Sequence, residues 1–153
     1  MSEQSYDVVI VGAGAAGCVV ASYLAEHSTV SIALIEAGAI DRDPLIHIPA
    51  GFAKMLAHGR HIWNYQTVPQ HGKTRGYQAA KVLGGGSSMN AMCYVRGQPR
   101  DYARWQEAVG TSGNWSYEDL LPDFIAQESN DTFHNEYHGI DGGLAVQLPK
   151  GIN

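Results

Sequence analysis

The sequence predicts an α/β fold that opens with a parallel βαβ unit. Three observations carry this. Tyr6 to Val11 (Y-D-V-V-I-V) is a short β-branched run, the pattern of a strand buried on both faces. Gly12-Ala13-Gly14-Ala15-Ala16-Gly17 comes next and opens an alanine-rich helical stretch, Ala15 to His27, with Val19, Val20, Tyr23 and Leu24 at helical spacing. Val30 to Glu36 (V-S-I-A-L-I-E) is a second strand that ends in an acid. Strand, helix and strand within residues 6–36 have the size of one βαβ unit, whose strands are parallel and joined by a right-handed crossover.

The glycine turn between strand and helix is the first feature with chemical content. G-x-G-x-x-G alone means little in a chain with 18 glycines among 153 residues. Its setting makes it a Rossmann-like fingerprint. Gly12 permits the tight turn, Gly14 lets backbone approach a pyrophosphate, and Gly17 lets helix and strand pack closely. The helix that begins at Ala15 presents free N–H groups and about half a positive charge to the phosphates. Glu36 lies 19 residues beyond Gly17, where a carboxylate accepts hydrogen bonds from both ribose hydroxyls. The same carboxylate repels a 2′-phosphate, which disfavours NADP.

The fingerprint does not separate FAD from NAD, but the next segment does. After residues 1–37, the dinucleotide unit, residues 38–80 form an irregular excursion punctuated by Pro44, Pro49, Gly51, Gly59, Pro69, Gly72 and Gly76. One short helix is expected near Gly51 to His58. An excursion this long is usually functional, and it suits an extended FAD whose flavin must be enclosed. Residues 81–97 carry a second glycine cluster. Residues 98–153 read as helices, Asp101 to Ala108 and Ser116 to Glu128, and then a turn and strand over Gly142 to Leu148. Ser116 with Asp119 resembles a capping box. Pro122 falls inside the second helix and is expected to kink or restart it.

The second cluster is the specific one. Lys81-Val82-Leu83-Gly84-Gly85-Gly86-Ser87-Ser88-Met89-Asn90-Ala91 runs into Met92-Cys93-Tyr94-Val95-Arg96-Gly97. Three successive glycines allow close approach to a flat or anionic group, and Ser87, Ser88 and Asn90 add polar partners. Backbone N–H groups around Asn90 to Cys93 are expected to face a flavin's polar edge and to favour its reduced anion. This stretch resembles the first signature of the glucose–methanol–choline (GMC) oxidoreductases. Trp63-Asn64-Tyr65-Gln66-Thr67-Val68-Pro69-Gln70, the run from Arg96-Gly97 through Asp101-Tyr102 to Trp105, Trp115 with Leu120-Leu121-Pro122, and His138-Gly139 through Gly142-Gly143-Leu144 match further segments in order.

The resemblance implies a Rossmann-like FAD-binding fold and alcohol oxidation by hydride transfer to flavin N5. It assigns Gly14, Ala15, Glu36 and Ala37 to the ADP half, beside Gly12 and Gly17 of the turn. It assigns Gly85, Gly86, Asn90, Ala91 and Cys93 to the flavin side, with Met92 between them, and places Trp63 and Val82 along the same pocket. Some relatives carry a flavin-linked histidine just before the asparagine; here Met89 stands there, and a thioether cannot form that bond. FAD is therefore expected to be non-covalent. The resemblance further implies a catalytic histidine, paired with a second histidine or asparagine, beyond residue 153. The chain is thus expected to be the N-terminal portion of the domain, incomplete without a C-terminal remainder or companion chain, with the substrate domain absent and no catalytic residue of its own. The alternative is an FAD-binding scaffold with lyase-type or no turnover.

Bulk composition excludes other classes. Net charge is −5 with scattered Lys and Arg, so no nucleic-acid footprint exists. Charged residues are 16 % against a typical figure of about 25 %, which points to faces covered by ligand or by more protein. The uncharged run between Asp7 and Glu26 is broken by three glycines, and its acidic flank is unlike a signal peptide. Cys18 and Cys93 are read as reduced thiols of a cytoplasmic protein, with a disulfide between them as the alternative. His134 and His138 are spaced like metal ligands, but no stable helix is expected to hold them. These two, with His58 and His61, are read as solvated loop histidines.

Overall fold

The computed structural model describes residues 4–148. The outermost parts of the expected segments, residues 1–3 and 149–153, lie outside the described residues. The chain divides into two compact units, Met1–Cys93 and Tyr94–Asn153, although its length alone suggests one.

In the first unit, β1 (Val8–Val11) and β2 (Ile32–Ile35) pair in parallel, Val8 opposite Ile32 and Val11 opposite Ile35. They are joined by α1 (Ala15–His27). Asp7 clamps the strand starts: its carboxylate accepts from the Ser31 N–H at 2.8 Å and the Ser31 hydroxyl at 2.6 Å, and these bonds hold it below the usual carboxylate range. The expectation of a strand buried on both faces is corrected. Val8 and Ile10 are half-buried, while Val9 and Val11 are 54 % and 82 % exposed. The strand has one neighbour, β2, among the described residues, and its second face is uncovered.

The excursion is more ordered than its composition suggests. It holds α2 (Gly51–Ala57), where a short helix is expected, and an antiparallel hairpin of β3 (Ile62–Gln66) and β4 (Gly76–Ala80). The hairpin turns at His71 and Gly72, both with positive φ, as a tight two-residue turn requires. Asp43 fixes the rest. Its carboxylate accepts from the Leu45 N–H, from His61 Nε2 at 2.8 Å and from Arg60 at 2.6 Å. The Leu45 bond and then the His61 bond hold its pKa below the ordinary value, against the opposing effect of burial. His61 is therefore not a solvated loop histidine. Met55, Val82 and Met89 form the core of this unit, with Leu45, Phe52 and Ile62 packed against it.

The second unit contains α3 (Pro99–Val109), α4 (Tyr117–Gln127) and a parallel pair, β5 (Glu128–Asn130) with β6 (Leu144–Val146). The Asp101 carboxylate accepts from the Gln98 N–H ahead of α3. The Ser116 hydroxyl oxygen accepts from the Asp119 N–H at 3.1 Å, as the capping pattern predicts. Pro122 does not restart the helix, because α4 runs through it as one element. Lying one and a half turns into the helix, it removes the donor to one carbonyl only. Tyr102 is the hub: Trp105, Tyr117 and Phe124 lie around its ring, and its hydroxyl accepts from the Gly97 N–H. His138 is also drawn in. Its Nδ1 lies 2.9 Å from the buried Glu128 carboxylate, because the loop carrying it closes back on β5.

Candidate functional site: a cavity between two glycine turns

β1 ends by donating the Gly12 N–H to the Ile35 carbonyl at 2.7 Å, so the ladder continues into the turn. Gly12 then adopts φ +95°, which glycine accepts and other residues resist. Ala13 is fully buried, and Gly14 is the N-cap of α1 with no side chain capping the helix. The first helical N–H groups therefore remain available to an anion. Gly17 packs onto the turn: a Cβ there would stand well inside contact distance of the Gly12 carbonyl oxygen and 3.4 Å from Ile10 Cγ2.

Glu36 comes directly after β2 and ties the turn in place. One carboxylate oxygen accepts from the Ala13 N–H at 2.9 Å, and the other accepts from the Gly38 N–H at 2.8 Å. A carboxylate has about four acceptor directions. Two are used, so two remain for hydroxyl donors, and the group is already oriented.

The second glycine cluster comes back to the first. The Gly84 N–H donates to the Ala13 carbonyl at 2.8 Å. Gly84 and Gly85 both have positive φ and lead into a 3-10 turn, Gly85–Ser88. A Cβ on Gly85 would stand 2.7 Å from Gly14 Cα, so backbone meets backbone there. The sequence assigns these glycines to opposite ends of a dinucleotide and carries no sign that they touch.

Between the turns lies an open cavity of about 640 Å³, within the range typical of ligand sites. Gly12, Gly14, Glu36, Ala37, Trp63, Gly85 and Gly86 line it, and so does β4 through Tyr77 to Ala80. Sequence reasoning misses β4. The only available signal is the aromatic alternation of β3, which calls for a partner strand. Glu36 is the only charged side chain on the cavity wall among the described residues.

The other expected residues stand elsewhere. Ala15 and Gly17 shape the turn and helix start without lining the cavity. Val82 is fully buried in the core, bridged to Ala39. Asn90 lines a smaller neighbouring cavity of about 170 Å³, whereas Ala91, Met92 and Cys93 line neither. Two expected donors are engaged internally: the Met92 N–H donates to Asn90 Oδ1 at 2.7 Å, and the Ser88 hydroxyl donates to the Leu83 carbonyl. Cys18 and Cys93 are free thiols. No group of three or more His, Cys, Asp or Glu side chains is arranged to hold a metal among the described residues. No helix among them is long and apolar enough to cross a membrane.

Comparison with known proteins identifies the fold. The family model described as GMC oxidoreductase matches residues 6–147. An alcohol dehydrogenase (acceptor) of Pseudomonas putida is 43 % identical over 152 residues, 97 % of this chain and 27 % of that protein. An oxygen-dependent choline dehydrogenase of Ectopseudomonas mendocina is 42 % identical over 153 residues, again 97 % and 27 %. The crystal structure of a pyridoxine 4-oxidase from Mesorbium loti superposes with TM-score 0.85 at 36 % identity, over 95 % of this chain and 29 % of that one. An FAD-dependent oxidoreductase from Chaetomium thermophilum superposes with TM-score 0.81 at 32 % identity, over 95 % and 27 %. The chain spans just over a quarter of the length of these proteins.

Proposed function

The chain belongs to the GMC oxidoreductase family, and from that premise we propose that it forms the FAD-binding portion of an enzyme oxidising a primary alcohol to an aldehyde. The observation that carries this reading is the meeting of the two glycine turns. Gly14 and Gly86 have room for a Cβ as far as the protein's own atoms are concerned, 4.0 Å to the nearest neighbour for Gly14 and nothing within 4 Å for Gly86. Their missing side chains open the cavity instead, which fits a ligand that comes against bare backbone.

When bound, FAD supplies the two-electron acceptor, at flavin N5, for the hydride of the substrate's C–H bond. The chain's own residues bind and orient. Gly12, Gly14, Ala15 and Gly17 form the anion-binding turn, and Glu36 with Ala37 takes the ribose hydroxyls. Trp63, Gly85 and Gly86 form the flavin side of the cavity, Asn90 borders the smaller cavity beside it, and Val82 and residues 91–93 support that wall from behind rather than line it. Met89 is buried in the core beside Met55 and Val82, which supports non-covalent attachment. No histidine, lysine or arginine lines the cavity among the described residues. On this reading the base that takes the hydroxyl proton is the histidine that the family resemblance implies in the remainder of the enzyme, a companion chain or C-terminal segment, which also sets the choice of alcohol.

Two measurements test this. Acid precipitation of the holoprotein is expected to leave the flavin in the supernatant; flavin retained in the pellet refutes non-covalent binding. Anaerobic addition of alcohols to the complete enzyme is expected to bleach the flavin's visible band and release an aldehyde. Turnover without bleaching would favour lyase-type chemistry on the same scaffold.

A further inference from the structure

Lys81 stands next to this site with no role yet assigned to it. Its Nζ lies 3.9 Å from the centroid of the Trp63 ring, and Trp63 lines the cavity. The lysine is half-buried, yet no carboxylate lies within ion-pair distance of it among the described residues. A partly desolvated ammonium without a counter-charge is unfavourable unless another group compensates. The indole face, negative by its quadrupole, does so. The geometry behind the contact is fixed. The Lys81 N–H donates to the His61 carbonyl at 2.7 Å, and the next residue, Val82, is fully buried. Trp63 is anchored on β3 opposite Ala79, and its ring stacks beside Tyr65 with centroids 6.0 Å apart.

We propose that Lys81 is a positioning residue of the FAD site, its ammonium holding the Trp63 ring in the orientation that forms the cavity wall. The inference rests on the reading that this cavity takes FAD. A large aromatic side chain on a strand edge has several accessible rotamers, and ordering it on binding carries an entropy cost. A cation gripping the ring meets that cost before the ligand arrives. Lys81 then strengthens binding without having to touch the ligand.

The test is a double-mutant cycle read by FAD affinity. Holoprotein is stripped of flavin and titrated with FAD, monitoring the quenching of flavin and indole fluorescence. Lys81→Met keeps the aliphatic stem and removes the charge. It is expected to weaken FAD binding about fivefold in the native background, the scale of a partly desolvated cation–π contact. In a Trp63→Leu background the same change is expected to have no effect. Lys81→Arg, which also rests on an indole face, is expected to restore affinity and the native indole emission. If Lys81→Met fails to fold, the arginine variant still decides, because loss of affinity in a folded Lys81→Arg protein refutes the grip. Equal affinity in native and Lys81→Met proteins overturns the proposal. So does an equal loss in both Trp63 backgrounds, which would mean that the ammonium acts on the ligand's own negative charge. A native protein that takes up no FAD refutes the underlying reading, and the proposal with it.

Discussion

Gly17→Ala is expected to destabilise the protein by about 3 kcal/mol and to lower FAD affinity at least tenfold. The sign is the informative part. Inside an exposed helix, glycine to alanine is worth about 1 kcal/mol of stabilisation, because alanine loses less backbone entropy. Gly17 lies in the first turn of α1, where that gain would ordinarily apply. Its Cβ, however, would clash severely with the Gly12 carbonyl oxygen, and Gly12 C stands 3.2 Å from the same point. Both are backbone atoms of a turn pinned by the Gly12 N–H on Ile35 and the Ala13 N–H on Glu36. Neither can rotate away as a side chain would, so helix and turn must separate. That movement carries Gly14 and the helix N-terminus away from their places at the cavity, which is why affinity falls with stability. Gly14→Ala is the contrast. The protein has space for that methyl, so the variant is expected to unfold at the native denaturant midpoint and to lose affinity only. Denaturation midpoints with FAD titrations on the two variants separate the roles. A native midpoint for Gly17→Ala would refute the packing argument.

That contrast also shows where the sequence is sufficient and where it stops. The turn is legible because its function is written in backbone requirements: a positive φ at Gly12, a contact at Gly17 too close for a Cβ, and an acid at the end of the next strand. The caps at Ser116 and ahead of α3 are local hydrogen bonds between residues three apart, and such bonds leave a short-range pattern. The β3–β4 hairpin leaves only the aromatic alternation of β3. Its turn residues are His71 and Gly72 rather than the usual asparagine and glycine, and Pro69 and Gly76 around them read as loop. Without β4, the part of the cavity wall from Tyr77 to Ala80 goes unseen too. The composition of β1 overstates its burial, being that of a central strand, whereas within the described residues it has one neighbour. His61 and His138 read as solvated, since nothing local to either shows that Asp43 or Glu128 comes to meet it from 18 and 10 residues away. Long-range pairing of single polar groups leaves no periodicity to detect.

The Glu128 cluster leads to the second large effect. Glu128 is 0 % exposed and accepts from three sides. Arg96 Nη2 donates to one oxygen; Asn130 Nδ2 donates to the other at 2.7 Å; His138 Nδ1 lies 2.9 Å from it. An ionised carboxylate only accepts, so His138 carries its proton on Nδ1. Burial by itself would push the Glu128 carboxyl up. The bonds from Asn130 and His138 and the charge of Arg96 outweigh it and hold the pKa below the ordinary 4.5. Glu128→Gln keeps the volume but turns one acceptor into a donor facing other donors, and it leaves Arg96 largely buried without its counter-charge. The expected cost is about 3–5 kcal/mol, seen as an earlier denaturation midpoint. The pH dependence gives a second signature. A group whose pKa is lower in the folded state binds more protons when unfolded, so its contribution is complete above the unfolded value. It is lost as pH falls below about 4.5. The stability gap between native and Glu128→Gln proteins is therefore expected to be constant near neutrality and to shrink under acid conditions. A gap that stays the same down to pH values below the folded pKa would mean that Glu128 contributes by shape alone. In that case it is packing, and not the carboxylate charge, that holds residues 96, 128, 130 and 138 together from their distant places in the chain.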